Sequence, residues 1–409
     1  MFKKILSIAI AVIMIASLCV AFASCKDNAK EDFKLGVILL HDEFSTYDRN
    51  FMEGIEEARV ALGLNEDQVI IKKNIDESNN CYEAACDLVD EGCDVIFADS
   101  FGHETFMIKA AKEFKDVQFC HATGTMAHTE GLDNFHNAFA SIYEGRYLAG
   151  VAAGLKLNEM IASGKITADQ AKMGYVGAFT YAEVISGYTS FYLGAKSVCP
   201  TVTMDVQFTG SWYNENFERD AATALINSGC VLISQHADSM GAPTVCETKK
   251  VPNVSYNGST VANCPETFII SSKIDWTPYF VYICESVMNN KTIDTDWTGT
   301  LQTGSVALSD VNTKAAAANT AAVLEAVKAE LIAGTRHVFD TSTFTVNNGQ
   351  SVKLDHKADV DTDAAFAADT DVVDDNGIFC ESKFRSAPYF DLRIDGIKLV
   401  NEVYDPVEE

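Results

Sequence analysis

Short runs of apolar, β-branched residues alternate along this chain with longer segments whose apolar positions recur every three or four residues. Leu35-Gly36-Val37-Ile38-Leu39-Leu40 predicts a strand, Asn50 to Leu62 an amphipathic helix, and Gln68 to Lys72 the next strand. The cycle continues with a helix from Cys81 to Glu91, a strand from Asp94 to Ala98, a helix near Glu104 to Phe114, and a strand from Val117 to His121. Strands that alternate with helices in this way build a parallel sheet covered on both faces.

A second series follows Asn134 to Phe139. It runs through a helix from Tyr143 to Leu157, strands at Met173–Gly177, Thr203–Phe208 and Val231–Ser234, and helices near Glu183 to Ser197 and Glu215 to Ser228. Val251 to Tyr256 and Phe268 to Ile274 add two strands, the second followed by a helix near Thr277 to Asn289. Two successive α/β series predict two lobes. Beyond them, Ala315 to Ala333 reads as an alanine-rich helix, Asp355 to Asp375 as an acidic surface insertion, and Ser386 to Phe390 as a return to strand.

The N-terminal pattern is different. Lys3 and Lys4 precede an apolar run from Ile5 to Val20, and Ala21-Phe22-Ala23-Ser24-Cys25 is a small-residue cleavage site ending in cysteine. We expect a bacterial export signal over 1–24, lipid attachment at Cys25 and a polar tether over 25–32. The apolar run is too short for a comfortable bilayer span.

Composition narrows the reading. With 409 residues, 47% of them hydrophobic, the chain has core enough for two domains. The net charge of −27 repels nucleic acid and anionic lipid, so neither is expected as a partner. Of 12 cysteines, none forms a Cys-x-x-Cys pair, which argues against a zinc site. Some disulfides in an exported protein and a reducing habitat account for them equally well.

Chemistry is sought in the loops after strands, because open α/β sheets take ligands beyond the carboxyl ends of their strands. The segment from His41 to Asn50 follows the first strand and gathers aromatic, carboxylate and hydroxyl groups. Ser100-Phe101-Gly102-His103, Ala178-Phe179-Thr180-Tyr181, Ser211-Trp212-Tyr213 and Asp275-Trp276 repeat the theme of polar groups beside aromatics. Such loops suit a flat heteroaromatic ligand, stacked on rings and read at its edge by carboxylates or amides. No Gly-x-Ser-x-Gly, Walker loop or Gly-x-Gly-x-x-Gly cradle is present, so a binding protein is expected rather than an enzyme, with no cofactor and no metal.

Several segments resemble the basic membrane protein family, lipid-anchored substrate-binding proteins of ABC importers that bind purine nucleosides. They are Asn50-Phe51-Met52-Glu53-Gly54, Ile142 to Gly150, Gly174 to Phe179, Glu183-Val184-Ile185, Ser211-Trp212-Tyr213, Gln235-His236-Ala237-Asp238 and Trp276-Thr277-Pro278-Tyr279. In consistent order they cover roughly residues 33 to 310.

The resemblance implies a two-lobed type I periplasmic-binding fold, each lobe a doubly wound, mostly parallel sheet, closing on ligand in the cleft. It places Tyr47 on the base and Asp48 at the base edge, with Asp where the family carries Asn, and gives Asp238 the ribose hydroxyls. Phe179 and Trp212 or Trp276 would complete the ring sandwich. The expected ligand set is Tyr47, Asp48, Ser100, Phe101, Phe179, Glu183, Trp212, Asp238, Asn257 and Trp276. Lobe I is expected over 33–135 and 257–295, and lobe II over 136–256 and 296–409. The implied partners are an ABC permease and its ATPase, with the monomeric protein anchored by lipid to the outer face of the cell membrane. The competing readings are a binding protein for a sugar, free base or autoinducer, a ligand-sensing partner of a membrane receptor, and a nucleoside hydrolase acting through Asp42, Glu43 and Asp48.

Overall fold

A computed structural model describes residues 30–360, 365 and 367–404; the expected leader, Cys25 and most of the tether lie outside the described residues. The chain folds into two doubly wound α/β lobes. The first sheet has the strand order β11-β5-β4-β3-β1-β2, formed by β1 (Leu35–Ile38), β2 (Val69–Lys72), β3 (Val95–Ala98), β4 (Gln118–Ala122), β5 (Phe135–Ala140) and β11 (Asp296–Gly299). All its pairings are parallel. The second sheet runs β12-β10-β9-β8-β6-β7-β15, from β6 (Lys172–Gly177), β7 (Thr203–Phe208), β8 (Leu232–His236), β9 (Asn253–Tyr256), β10 (Phe268–Ile274), β12 (Val306–Leu308) and β15 (Ile397–Leu399). Only β12 enters it antiparallel. β1 is buried along its whole length, as a parallel strand covered on both faces must be.

Helix α1 (Thr46–Leu62) begins earlier than its apolar pattern suggests. Ser45 caps it by accepting from the Asp48 amide at 3.2 Å, and Gly63, at φ 62°, closes it in the left-handed conformation. Tyr47 and Asp48 therefore sit in the first turn of a helix rather than in a loop. Phe51, Ile55 and Ala58 form its buried stripe.

The lobe boundaries differ from those expected. β5 stays in the first sheet because it continues the ladder beside β4, pairing His121 with Asn137. β10 belongs to the second sheet, paired with β9, and β11 returns to the first beside β5. The chain therefore crosses between lobes at 140–142, 274–277 and 299–306 rather than at 135, 257 and 296. The crossings run side by side: Ser141 donates its amide to the Gly299 carbonyl at 2.8 Å, and Asp275 donates to the Ser305 carbonyl at 2.6 Å.

In the second lobe, α5 (Ile142–Ala162) lies directly against α6 (Ala182–Val198). The approach depends on glycines. A Cβ on Gly150 would collide with the Phe191 carbonyl, and one on Gly194 with the Tyr147 carbonyl.

Beyond α10 (Thr320–Ile332) two readings of the tail change. The alanine-rich stretch becomes helical only at Thr320, after Asn319 adopts φ 63°. Residues 386–390 form no strand and instead run as an irregular strap, with Phe390 stacked on Phe339 at 4.2 Å. Within the acidic insertion, β13 (Lys357–Ala358) pairs antiparallel with β14 (Thr370–Asp371). Further on, β15 joins the second sheet beside β7.

Two buried carboxyls tie stability to pH. Burial pushes Glu218 and Glu381 up to about 7, against hydrogen bonds from Ser239 and Ser186 that pull them down. Each starts from an ordinary value of 4.5, so the folded protein holds a proton that the unfolded chain has lost. Their stabilisation is complete below about pH 4.5 and is lost as pH rises through about 7, at up to about 1.4 kcal/mol per pH unit for each group. Glu381→Gln, which cannot ionise, should match the wild type at pH 4 in urea unfolding and exceed it by about 3 kcal/mol at pH 8. A pH-independent difference would refute the assignment.

Candidate functional site

The carboxyl ends of both sheets face each other across a narrow cavity. Leu40 and His41 after β1, Tyr47 in the first turn of α1, Ser100 and Phe101 after β3, and Thr123 after β4 supply one wall. Glu183 on α6, Trp212 after β7, His236 and Asp238 at the end of β8, and Tyr256 on β9 supply the other. This is where doubly wound sheets receive ligands. The lobes also touch directly: Thr46 donates its amide to the Asp238 carbonyl at 3.0 Å, and His41 lies 5.3 Å from the Tyr213 ring.

Of the residues expected to meet ligand, Tyr47, Ser100, Phe101, Glu183, Trp212 and Asp238 line the cavity. The other four stand behind it. Phe179 packs edge-on to Trp212 at 5.3 Å, and Asn257 donates its side-chain amide to Asp238 at 3.4 Å. Asp48 is fully buried beneath His41. Trp276 lies in the first lobe's core, stacked on Phe51 at 4.3 Å, because it sits at the start of α9 (Thr277–Met288), which packs against α1. It does not line the cavity.

His41 and His236, outside the expected ligand set, both lie on the cavity wall. Tyr256 obeys the same strand-end rule as the other aromatics and could have been found by it. Thr123 carried no sequence signal: it is a β-branched residue at φ 66°, a strained conformation that often marks a site.

The wall electrostatics are acidic. Burial, then the charges of Asp48, Glu218 and Glu183, push the Asp238 carboxyl well above the ordinary range, with Asn257 opposing weakly. Burial lowers His236 to about 4 and the nearby Arg146 charge adds to this, so at neutral pH its imidazole is uncharged beside Glu183 at 3.2 Å. No lysine or arginine lines the cavity. Arg146 stands one layer back, its guanidinium 3.2 Å above the Tyr256 ring and donating to the Gln235 carbonyl at 2.9 Å.

Beneath the cavity, Asp48 and Asp99 meet. Asp48 accepts from the His41 amide at 2.7 Å and Asp99 from the Leu40 amide at 3.0 Å, while the second carboxylate oxygen of each has no other hydrogen-bond partner. Burial and the Asp48 charge push Asp99 well up. Burial also pushes Asp48 up, but hydrogen bonds from His41 and Ser45 outweigh it and hold Asp48 low. His41 Nδ1 lies 3.5 Å from the second Asp48 oxygen, and a proton on the raised Asp99 carboxyl would let it donate to Asp48. The pair holds the 40–41 turn, and the Tyr47 hydroxyl donates to the Asp99 carbonyl at 2.7 Å. Asp99→Asn keeps a donor at that position and should leave stability at pH 7 unchanged or raised. Asp99→Ala should lower it by about 2 kcal/mol in urea unfolding. Equal losses would refute the shared proton.

Among the described residues no group of three or more His, Cys, Asp or Glu could hold a metal ion, and the cysteines from Cys81 to Cys380 are unpaired thiols. No described helix is long and apolar enough to cross a membrane.

Two doubly wound lobes joined by three crossings, with a cavity between their strand ends, have the architecture of solute-binding proteins. A model of the Bmp family, described as PnrA-like ABC transporter substrate-binding proteins, matches residues 36–334. A purine-binding protein of Brucella abortus is 31% identical over 265 residues, 64% of this chain and 71% of that one. A protein of Haloferax volcanii named for glucose binding in ABC transport is 33% identical over 212 residues, 52% of this chain and half the length of its relative. Among solved structures, an ABC transporter solute-binding protein of Aeropyrum pernix aligns with a TM-score of 0.61 at 15% identity, covering 74% of this chain and 92% of that one. The chain belongs to the Bmp family of PnrA-like ABC transporter substrate-binding proteins. Proteins of this class bind small molecules outside the cytoplasm and work with permease and ATPase subunits.

Proposed function

We propose that this protein captures a purine nucleoside, or a closely related nucleobase ligand, in the inter-lobe cavity and delivers it to an ABC permease. The observation that carries the reading is the cavity wall: the rings of Tyr47, Phe101, Trp212 and Tyr256 stand beside the carboxyls of Glu183 and Asp238, with no cation among them. Rings take the faces of a flat heterocycle, and carboxylates accept from ribose hydroxyls or ring N–H groups. The same carboxylates, with no lysine or arginine on this wall, disfavour a phosphate held in the inner cavity. The purine-binding relative from Brucella abortus supports the choice of purines over sugars. Export on the 1–24 leader and lipid attachment at Cys25 would hold the monomeric receptor beside its permease, and closure of the lobes would signal loading.

Titration calorimetry tests the ligand. Saturable binding is expected for at least one of adenosine, guanosine and inosine, with its 5′-monophosphate at least a hundredfold weaker. Heat with glucose and none with any purine nucleoside or base would overturn the reading. The mass of protein extracted from membranes tests the anchor, which fails if Cys25 carries no lipid.

A further inference from the structure

The cavity does not end at its lining residues. A second space of about 190 Å³ adjoins it and shares Phe101, Thr123, Glu183 and Trp212 with it. Its remaining wall comes from Thr125, Tyr181 and Ala182 and, opposite, from Arg385, Ala387 and Pro388. These last three lie beyond the 36–334 segment that matches the family.

The strap that carries them is fixed to both lobes. On the first-lobe side, the Ser386 amide donates to Asp296 on β11 at 2.7 Å. On the second-lobe side, the Tyr143 hydroxyl of α5 donates to the Glu381 carbonyl at 3.4 Å, and the chain runs on into β15 beside β7. Arg385 shapes the strap from within, donating to the Ala387 and Pro388 carbonyls at 3.1 Å each. Ser386, Ala387 and Pro388 are buried although they belong to no regular element.

Resting on the nucleoside reading above, we propose that this outer chamber is a second part of the ligand site, taking an uncharged aryl or alkyl substituent of a nucleoside whose polar part occupies the inner cavity. Phe101, Tyr181 and Trp212 offer aromatic faces, with Tyr181 5.6 Å from Phe101 and 6.1 Å from Trp212. Ala182, Ala387 and Pro388 are apolar and small. Glu183 and Arg385, both lining the chamber, carry opposite charges, with Arg385 donating to the strap carbonyls of Ala387 and Pro388, so neither sign of charge is favoured in the occupant. An apolar substituent gains by leaving water for such walls, while an unsubstituted nucleoside leaves the chamber hydrated. The two spaces share Phe101, Thr123, Glu183 and Trp212 on their walls, so a substituent passing between these side chains would belong to the ligand held in the inner cavity.

The test is calorimetry on the purified protein with the purine nucleoside that binds, and with derivatives of it carrying a benzyl group on the 6-substituent of the base or at the ribose 5′ position. At least one derivative should bind within tenfold of its parent or more tightly. Ala387→Trp and Thr125→Trp fill the chamber from opposite walls. Each should weaken that derivative at least tenfold while changing the parent less than threefold, and binding of the parent reports that each variant is folded. The inference is overturned if both derivatives bind more than tenfold weaker than the parent, or if a folded filling variant leaves the derivative's affinity unchanged. Absence of binding by every parent nucleoside instead overturns the nucleoside reading itself.

Discussion

Asp238→Ala is expected to weaken purine-nucleoside binding about a hundredfold in calorimetric titration, the largest loss from any single side chain on the cavity wall. The carboxyl is buried, lines the cavity and receives one long hydrogen bond, from Asn257 at 3.4 Å, so it is undersupplied with donors. A ligand that donates two hydroxyls fills that deficit, and hydrogen bonds to a charged group contribute about 1.5–3 kcal/mol each, or about tenfold to a hundredfold in affinity. The lobe contact survives the substitution, because Thr46 bonds the Asp238 backbone carbonyl rather than its side chain. A sign follows for pH. Burial and neighbouring charges push the free carboxyl up, whereas donors from a ligand favour its ionised form and pull it down. Binding then releases a proton, and affinity rises with pH until the free carboxyl is itself ionised. Asp238→Asn should abolish that rise. Affinity that is unaltered in Asp238→Ala would remove this residue from the site. Trp212→Ala, which removes one stacking face, should cost less, about tenfold, on the scale of about 1–3 kcal/mol per stacked base.

Much of the fold was legible because parallel strands covered on both faces read as uniformly apolar runs, and α1 and its successors carry their buried stripes openly. The lobe assignment was not. Whether β10 joins the first or second sheet depends on its ladder with β9, and nothing local to Phe268–Ile274 encodes that choice. The same holds for β15, which completes the second sheet beside β7 although long stretches of irregular chain separate them. At the site, the strand-end rule located Tyr47, Ser100, Phe101 and Trp212, since it depends only on where a strand stops. It failed for Trp276 because an aromatic after a strand can turn either outward to the cavity or inward to the core. The packing of α9 on α1 decided that. Asp48 carried a ligand role by resemblance; its burial against Asp99 makes it a support for His41, a relation between residues about fifty apart that no single motif expresses.

Gly150→Ala and Gly194→Ala should each destabilise the protein by about 2 kcal/mol or more in urea unfolding, although both replace glycine inside a helix. Alanine is the better helix former by about 1 kcal/mol, so on propensity alone each change would stabilise. Packing outweighs it. The added Cβ meets a backbone carbonyl on the facing helix in each case, Phe191 for Gly150 and Tyr147 for Gly194, and a carbonyl held in a helix cannot rotate away as a side chain can. Overpacking of this kind costs about 3 kcal/mol when the whole helix must shift. Gly145, in the same helix α5, provides the contrast: its nearest obstacle is a side-chain methyl of Val306 at 2.9 Å, so Gly145→Ala should cost less. The two carbonyl contacts lie within one turn of each other on each helix, Tyr147 to Gly150 and Phe191 to Gly194. One outward displacement of α6 therefore relieves both clashes. The double variant should lose clearly less than the two single losses added together, a coupling of about 1–2 kcal/mol in a double-mutant cycle. Additive losses would mean that each methyl is accommodated by its own local distortion and that α5 and α6 do not move as a rigid pair.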